Sequence, residues 1–328
     1  MSLFPDLLYL SAFLGGLICS AGSLPFWRTW CLRTGLLDAP GERKIHFEPI
    51  PLAGGFAVFT GLFLPATLGA AVATLGLWPE AGGLDKLQYG LERRGPQLAI
   101  VLLGGAAMAA LGWLDDRRAL RAAPKLAGQT AVALAVALCG LRISLFVPSL
   151  LFSVLATALW IVVATNAVNI MDNMNGLCGG VGAIAAFYFG LNAAIQGQYL
   201  AASLAWLACG ALVGFLPFNF PKAKVFLGDT GSHLVGYLLA VMAILPDFYS
   251  PDRPVRWAVL TPLFILAVPL GDMLRVIYVR RRLGKPIYLA DTNHISHRLV
   301  AAGLSPVTAV LLLWLATAAL GAIPFFCF

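Results

Sequence analysis

The sequence predicts an all-α polytopic integral membrane protein with about ten transmembrane helices, and three observations support this fold class. Of the 328 residues, 60% are hydrophobic and only 11% are charged, which lies well outside the composition of a soluble domain. The apolar residues are gathered in runs of roughly 20, the length that a helix needs to cross a bilayer. Acids, amides and imidazoles are concentrated in short segments between those runs.

Ten apolar runs divide the chain, and we interpret residues 1–328 as a single transmembrane catalytic domain. The runs lie near 6–27, 52–77, 96–114, 126–141, 144–164, 177–195, 199–217, 231–246, 257–278 and 305–326. The first run has neither a basic segment before it nor a small-residue cleavage site after it, so it is expected to be a span and not a removed signal peptide.

The lysines and arginines predict the orientation of the chain, because basic loops stay on the cytoplasmic side. One set of alternate loops holds 16 of these residues and the other set holds 6. Both termini are therefore expected outside, and five polar segments are expected on the cytoplasmic face. These segments are 38–55, 115–129, 166–180, 222–232 and 272–299. The net charge of +7 suits anionic lipid and anionic substrates, and its spread over many loops argues against nucleic-acid binding.

Three acids stand out in these segments. Asp115 and Asp116 are adjacent at the end of an apolar run, and adjacent carboxylates need a cation or a shared proton. A helix-end charge cluster neutralised by the following arginines would explain them equally well. Asp229 lies between two glycines directly before a helix, where free N–H groups favour phosphate and a carboxylate can hold Mg²⁺. The alternative is a glycine turn with an ordinary helix cap.

Amides and imidazoles fill the third and fifth polar segments. The third segment contains Asn166, Asn169, Asp172, Asn173 and Asn175, and amides suit recognition of a nucleobase, a sugar hydroxyl or an N-acetyl group.

In the fifth segment, His294 and His297 are three residues apart and could share a helix face. A zinc pair is conceivable there, but the adjacent Arg298 favours a diphosphate. A structural role for either histidine stays open.

Five motifs in order resemble the polyprenyl-phosphate N-acetylhexosamine-1-phosphate transferases, glycosyltransferase family 4. The motif residues are Asp38, Pro40, Arg43, Lys44, His46, Pro49, Pro51, Gly54 and Gly55; Asp115 and Asp116; Asn166, Ala167, Asn169, Asp172, Asn175 and Gly176; Val225, Phe226, Gly228, Asp229, Gly231 and Ser232; and Asp272, His294, His297, Arg298 and Leu299. The resemblance covers residues 38–299, and within the family it is greatest to the members that use GlcNAc.

The resemblance implies transfer of an N-acetylhexosamine 1-phosphate, with GlcNAc-1-phosphate the first choice. The donor would be a UDP-sugar, the acceptor undecaprenyl phosphate, the cofactor Mg²⁺ with Mn²⁺ as an alternative, and the by-product UMP. The location implied is the bacterial inner membrane, where the product would start a cell-envelope glycan. The sequence leaves the oligomeric state open, a homodimer included.

The same resemblance implies roles for individual residues. Asp229 would be the main metal ligand, and Asp115 and Asp116 would orient or deprotonate the acceptor phosphate and help to hold the metal. The substrate-binding residues would be Lys44, Lys125, Asn166, Asn169, Asp172, Asn175, His294, His297 and Arg298.

Two positions depart from the family pattern: Asn173 replaces a frequent Gly, and Ser296 replaces a frequent His. Three consecutive histidines are typical of the phospho-muramoyl-pentapeptide transferase branch, and because this chain lacks them, that branch is the alternative within the family and not the first choice. A polytopic transporter, with acids serving as ion sites, is the alternative from another class.

Overall fold

The structure is a computed structural model of the chain, and it describes residues 4–39, 48–77, 84–143, 147–246, 248, 255–286 and 293–327. The predicted phosphate partner Lys44 and the other residues of 40–47 lie outside the described residues. One small antiparallel pair is present before the second helix, where β1 (Leu37–Asp38) pairs with β2 (Ile50–Pro51).

Helices form nearly all of the regular structure. They are α1 Asp6–Thr34, α2 Gly54–Thr74, α3 Leu84–Arg118, α4 Ala122–Leu138, α5 Leu150–Met171, α6 Leu177–Ile195, α7 Tyr199–Asn219, α8 Gly228–Met242, α9 Thr261–Ile265, α10 Ala267–Arg282, α11 Ile295–Ala301, α12 Pro306–Ala322 and α13 Pro324–Cys327. The all-α polytopic class is therefore confirmed.

Each of the ten predicted runs overlaps a helix, but the helices differ in length. Seven helices are long and apolar enough to cross a membrane, or eight if one bent pair counts as a single span, among the residues that the structure describes. The helices α4 and α8 have only 17 and 15 residues. The count of ten spans stays a prediction.

The ninth run, 257–278, is broken where a continuous helix was expected. Residues Trp257–Ile265 and Ala267–Arg282 meet at an angle of 73°. Pro269 lies in the first turn of α10 and has no N–H to donate to the carbonyl of Ile265, so the helical ladder cannot continue through this point.

The fifth helix also differs from its predicted run, because α5 covers Leu150–Met171 and not 144–164. Asn166 and Asn169 therefore lie inside a helix and not in a polar loop. Their side chains can be accommodated there because both donate hydrogen bonds to neighbouring helices.

The centre of the bundle is α8, which packs against α2, α3 and α5. Every residue from Thr230 to Met242 is buried, as expected for a helix that is enclosed on all sides. Its first turn lies beside the ends of α3 and α5, so the fold brings the acids of three sequence segments to one end of the bundle.

Candidate active site

The carboxylate of Asp116 holds the first turn of α8. Its Oδ1 accepts a hydrogen bond from the N–H of Asp229 at 2.8 Å. Its Oδ2 accepts from the N–H of Thr230 at 2.9 Å and from the Thr230 hydroxyl at 2.6 Å. Since α8 has no capping side chain of its own, Asp116 satisfies N–H groups that the helix itself leaves free.

Two glycines allow this contact between α3 and α8. A Cβ on Gly112 would lie 2.2 Å from the carbonyl oxygen of Asp229, so only glycine permits the helices to approach this closely. Gly228 has a φ of +72°, a conformation that disfavours other residues, and it turns the chain into α8. The first glycine of the Gly-Asp-Thr-Gly-Ser motif is therefore explained by the positive φ that this turn requires.

Lys125, near the start of α4, lies between two of the predicted catalytic acids. Its Nζ is 2.7 Å from Asp115 Oδ2 and 3.4 Å from Asp229 Oδ1. The same ammonium donates to Asn169 Oδ1 at 3.2 Å. We call Asp115, Asp116, Lys125, Asn169 and Asp229 the acidic cluster.

Asn169 fixes the Asp229 side chain from the opposite side of the cluster. Its Nδ2 donates to Asp229 Oδ1 and also to Ser232 Oγ, the latter at 2.8 Å. Asn166, one turn earlier, donates instead to Gln129 Oε1 on α4 at 2.5 Å. Asn166 therefore joins α4 to α5 and orients the cluster indirectly.

Asp172 follows α5 directly and faces the acidic cluster. Burial, together with the negative charges of Asp229 and Asp116, raises the pKa of Asp172 to about 8. The Asp172 side chain makes no hydrogen bond to another residue within the described part of the chain. A cation arriving at this site would favour its ionised form.

A second group of predicted residues lies on α10 and α11. Asp272 is buried, and its Oδ2 lies 2.7 Å from His294 Nδ1 while its Oδ1 accepts from the N–H of Ile295 at 2.7 Å. The His297 ring centroid is 5.9 Å from that of His294. We call Asp272, His294 and His297 the histidine wall.

The remaining predicted residues lie around these two groups. Asn175 donates to the carbonyl of Pro221 at 3.3 Å, so it joins two loops. Arg298 is on α11 beside the histidine wall, and its guanidinium makes no hydrogen bond or ion pair with another of the described residues. It is therefore available to an anionic ligand.

The donor set of the acidic cluster fits a magnesium ion. The cluster contains three carboxylates and one ammonium, which contacts Asp115 and Asp229, so a divalent cation would reduce its negative charge. Mg²⁺ needs only one or two protein carboxylates because it keeps waters and substrate phosphates as its other ligands. Asp229 is one-third exposed and Asp115 is nearly buried, which makes Asp229 the more accessible ligand.

Asp116 has less capacity for a metal than Asp229, since both of its oxygens accept hydrogen bonds from α8. Its role as a ligand stays a prediction. Among the described residues, no group of three histidines, cysteines or acids is already arranged around a metal position. The cation would therefore bind with ligands from the substrate.

Sequence reasoning missed several residues that build the site. Gln129, Thr230 and Ser232 are hydrogen-bond partners of the predicted residues, and nothing in their spacing indicated this. Asp272 had a usable signal, because it is an acid inside an apolar run, and such acids normally need a partner.

A helical membrane bundle with carboxylates, one ammonium and imidazoles at one end defines a membrane enzyme that acts on phosphate-bearing substrates. The chain belongs to glycosyl transferase family 4, whose family profile matches residues 98–247. The predicted family and the class of transferase are thereby confirmed.

Individual relatives extend the similarity over most of the chain. A probable undecaprenyl-phosphate N-acetylglucosaminyl 1-phosphate transferase of Bacillus subtilis is 32% identical, covering 93% of this chain and 80% of the relative. A decaprenyl-phosphate N-acetylglucosaminephosphotransferase of Mycolicibacterium smegmatis is 33% identical, covering 90% and 76%. An undecaprenyl-phosphate alpha-N-acetylglucosaminyl 1-phosphate transferase of Escherichia coli K12 is 27% identical, covering 91% and 78%.

Proposed function

We propose that this protein transfers GlcNAc-1-phosphate from UDP-GlcNAc to undecaprenyl phosphate at the cytoplasmic face of a bacterial inner membrane and releases UMP. The observation that carries the proposal is the acidic cluster, in which Asp115, Lys125, Asn169 and Asp229 converge from four helices. The names of the relatives support GlcNAc and a polyprenyl phosphate as substrates.

The reaction is a direct displacement at phosphorus. An oxygen of the acceptor phosphate attacks the β-phosphorus of the donor, a new P–O bond forms, and the bond to the α-phosphate oxygen breaks so that UMP leaves. The acceptor phosphate is largely dianionic at neutral pH, so it needs no strong base. Catalysis is then chiefly positioning and neutralisation of charge.

The residues divide this work between them. Asp229 would be the main ligand of Mg²⁺, with Asp115 joining it where a contact to Lys125 or Leu120 is released, and the bound ion would neutralise the diphosphate charge and organise the phosphates. Lys125 would supply a positive charge to the reacting phosphates, and Asn169 keeps the Asp229 carboxylate oriented. Arg298 and the histidine wall would bind the diphosphate or the sugar.

A covalent aspartyl-phosphate route finds less support. Both oxygens of Asp115 are engaged, one with Lys125 and one with the N–H of Leu120 at 2.8 Å. Both oxygens of Asp116 are bound to the first turn of α8. Each carboxylate would have to give up hydrogen bonds or its ion pair to attack phosphorus, which favours the direct displacement.

The test is release of UMP from UDP-GlcNAc by the purified protein in detergent. We expect release to require both undecaprenyl phosphate and Mg²⁺. Asp229→Asn should lower turnover at least about a hundredfold, because it removes a metal-binding charge without changing volume. Asp6→Asn, the same substitution at an exposed site on α1, should leave turnover unchanged.

Full activity of Asp229→Asn would contradict the metal role of that residue. Release from another UDP-N-acetylhexosamine alone would change the proposed donor and keep the mechanism. Silence with every donor, in protein shown to be folded, would contradict the proposed function.

A further inference from the structure

A partly buried hydrogen bond joins two residues that the reaction scheme does not use. The Ser296 hydroxyl donates to Asn173 Oδ1 at 2.7 Å, and Ser296 is only 1% exposed. The bond therefore links the loop after α5 to the first turn of α11.

On one side, this bond leads to the acidic cluster. Asn173 donates through Nδ2 to the carbonyl of Ile170 in the last turn of α5, at 3.3 Å. Ile170 follows Asn169, which hydrogen-bonds Asp229. The Asn173 side chain is thus attached to the end of the helix that orients the predicted metal ligand.

On the other side, the bond leads to the histidine wall. Ser296 is in the first turn of α11, a helix of seven residues whose N-cap is His294. Asp272 fixes the same turn to α10 through His294 and the N–H of Ile295. Apolar residues of α11 also pack beside Met171 and Leu313.

A helix this short has little stability of its own, so its orientation depends on such tertiary contacts. Asp272 ties α11 to α10, whereas Ser296 ties it through a hydrogen bond to the loop after α5. Loss of the second bond would leave His294 paired with Asp272 but would free α11 to tilt relative to the acidic cluster.

We infer that Asn173 and Ser296 are a positioning pair that fixes the histidine wall relative to the acidic cluster. The inference rests on the proposed function, since the distance between the two groups matters when one donor diphosphate contacts both. Misplacement of bound groups by about 1 Å can lower a rate about a hundredfold.

The experiment compares Ser296→Ala, Asn173→Ala and the double variant in the UMP-release assay. Each single variant should lower kcat about tenfold, with the KM for undecaprenyl phosphate unchanged. The double variant should be no slower than the slower single variant, because both substitutions remove the same bond. Ser296→Thr keeps the hydroxyl and should retain most of the activity.

Matched controls lie away from the pair. Ser305→Ala removes an exposed hydroxyl, and Asn192→Ala removes an amide oxygen that accepts a hydrogen bond from Gln196, directly after the same helix. Neither should change kcat. The inference would be overturned if the two single variants had unchanged kcat. It would also be overturned if the fold-losses in kcat of the single variants multiplied in the double variant.

Hydrogen exchange of the peptide 293–301 provides a readout that does not need activity. Exchange should rise in Ser296→Ala and Asn173→Ala to the same extent, and no further in the double variant. Unchanged exchange in both single variants would overturn the inference even if the wild type released no UMP. Absence of UMP release by the wild type would contradict the proposed function but not the positioning role of the pair.

Discussion

At the scale of single residues, Asp172 is a carboxyl group whose protonation is expected to respond to a cation bound in the acidic cluster. Its pKa is raised to about 8 by burial and by the nearby charges of Asp229 and Asp116. At neutral pH this carboxyl is therefore mostly protonated in the metal-free protein. A cation favours the ionised form, so binding below pH 8 must release a proton.

The expected result is that the affinity for Mn²⁺, used as a calorimetric probe, rises between pH 6 and 8 and then levels off. For one linked proton the steepest change is about tenfold per pH unit. Asp172→Asn should make the affinity nearly independent of pH over this range. Asn192→Ala, far from the site, should keep the wild-type profile. An unchanged pH profile in Asp172→Asn would show that another group takes up the proton.

Among single residues, the acids and imidazoles could be predicted from the sequence, whereas the partners of the amides could not. The acids and imidazoles could be predicted as site residues because charged and polar side chains are costly in a membrane and usually occur there for a function. The amide Asn166 was read as a substrate contact, whereas its side chain donates to Gln129. Its role in binding substrate stays a prediction, and only the fold reveals that a neutral partner lies on the neighbouring helix.

At the scale of elements, the first turn of α8 depends on a residue from α3. The Asp116 carboxylate accepts hydrogen bonds from the N–H groups of Asp229 and Thr230. A negative charge at the N-terminus of α8 also interacts favourably with the helix dipole. The sequence of α8 does not reveal this cap, because the capping residue, Asp116, is over 110 positions away in the chain.

Asp116→Ala should therefore destabilise the fold by roughly 2–3 kcal/mol, since it leaves buried N–H groups without a partner. Thermal unfolding of the purified protein measures this. Ser305→Ala removes the cap of the exposed end of α12 and should cost only about 0.5–1 kcal/mol. Equal effects of the two substitutions would mean that Asp116 is not the anchor of α8.

Element boundaries followed from composition where an apolar run was bounded by polar or turn residues at both ends. The run 199–217 agrees closely with α7, Tyr199–Asn219, because that segment is apolar throughout. The run 144–164 was misplaced because α5 continues through Asn166 and Asn169, whose amides are satisfied by other helices. Likewise, the break between α9 and α10 depends on a proline whose effect hydropathy does not register.

At the scale of the whole molecule, the site lies at one end of the bundle. The ends of α3 and α5 and the starts of α4 and α8 contribute to the acidic cluster, and helices that alternate in direction place these ends on the same side. Cys139, directly after α4, and Cys327, in α13, are exposed and belong to the opposite end.

The charge bias of the loops predicts which end faces the cytoplasm, since the ten-span topology expected from the sequence assigns 16 of the 22 lysines and arginines to the loops that carry the polar segments of the site. A membrane-impermeant maleimide should therefore label Cys139 and Cys327 in intact bacterial cells. In a variant with both replaced by serine, Arg121→Cys at the exposed start of α4 should react only in inverted membrane vesicles. Labelling of Arg121→Cys in intact cells would reverse the orientation and would place the site where a cytoplasmic UDP-sugar could not reach it.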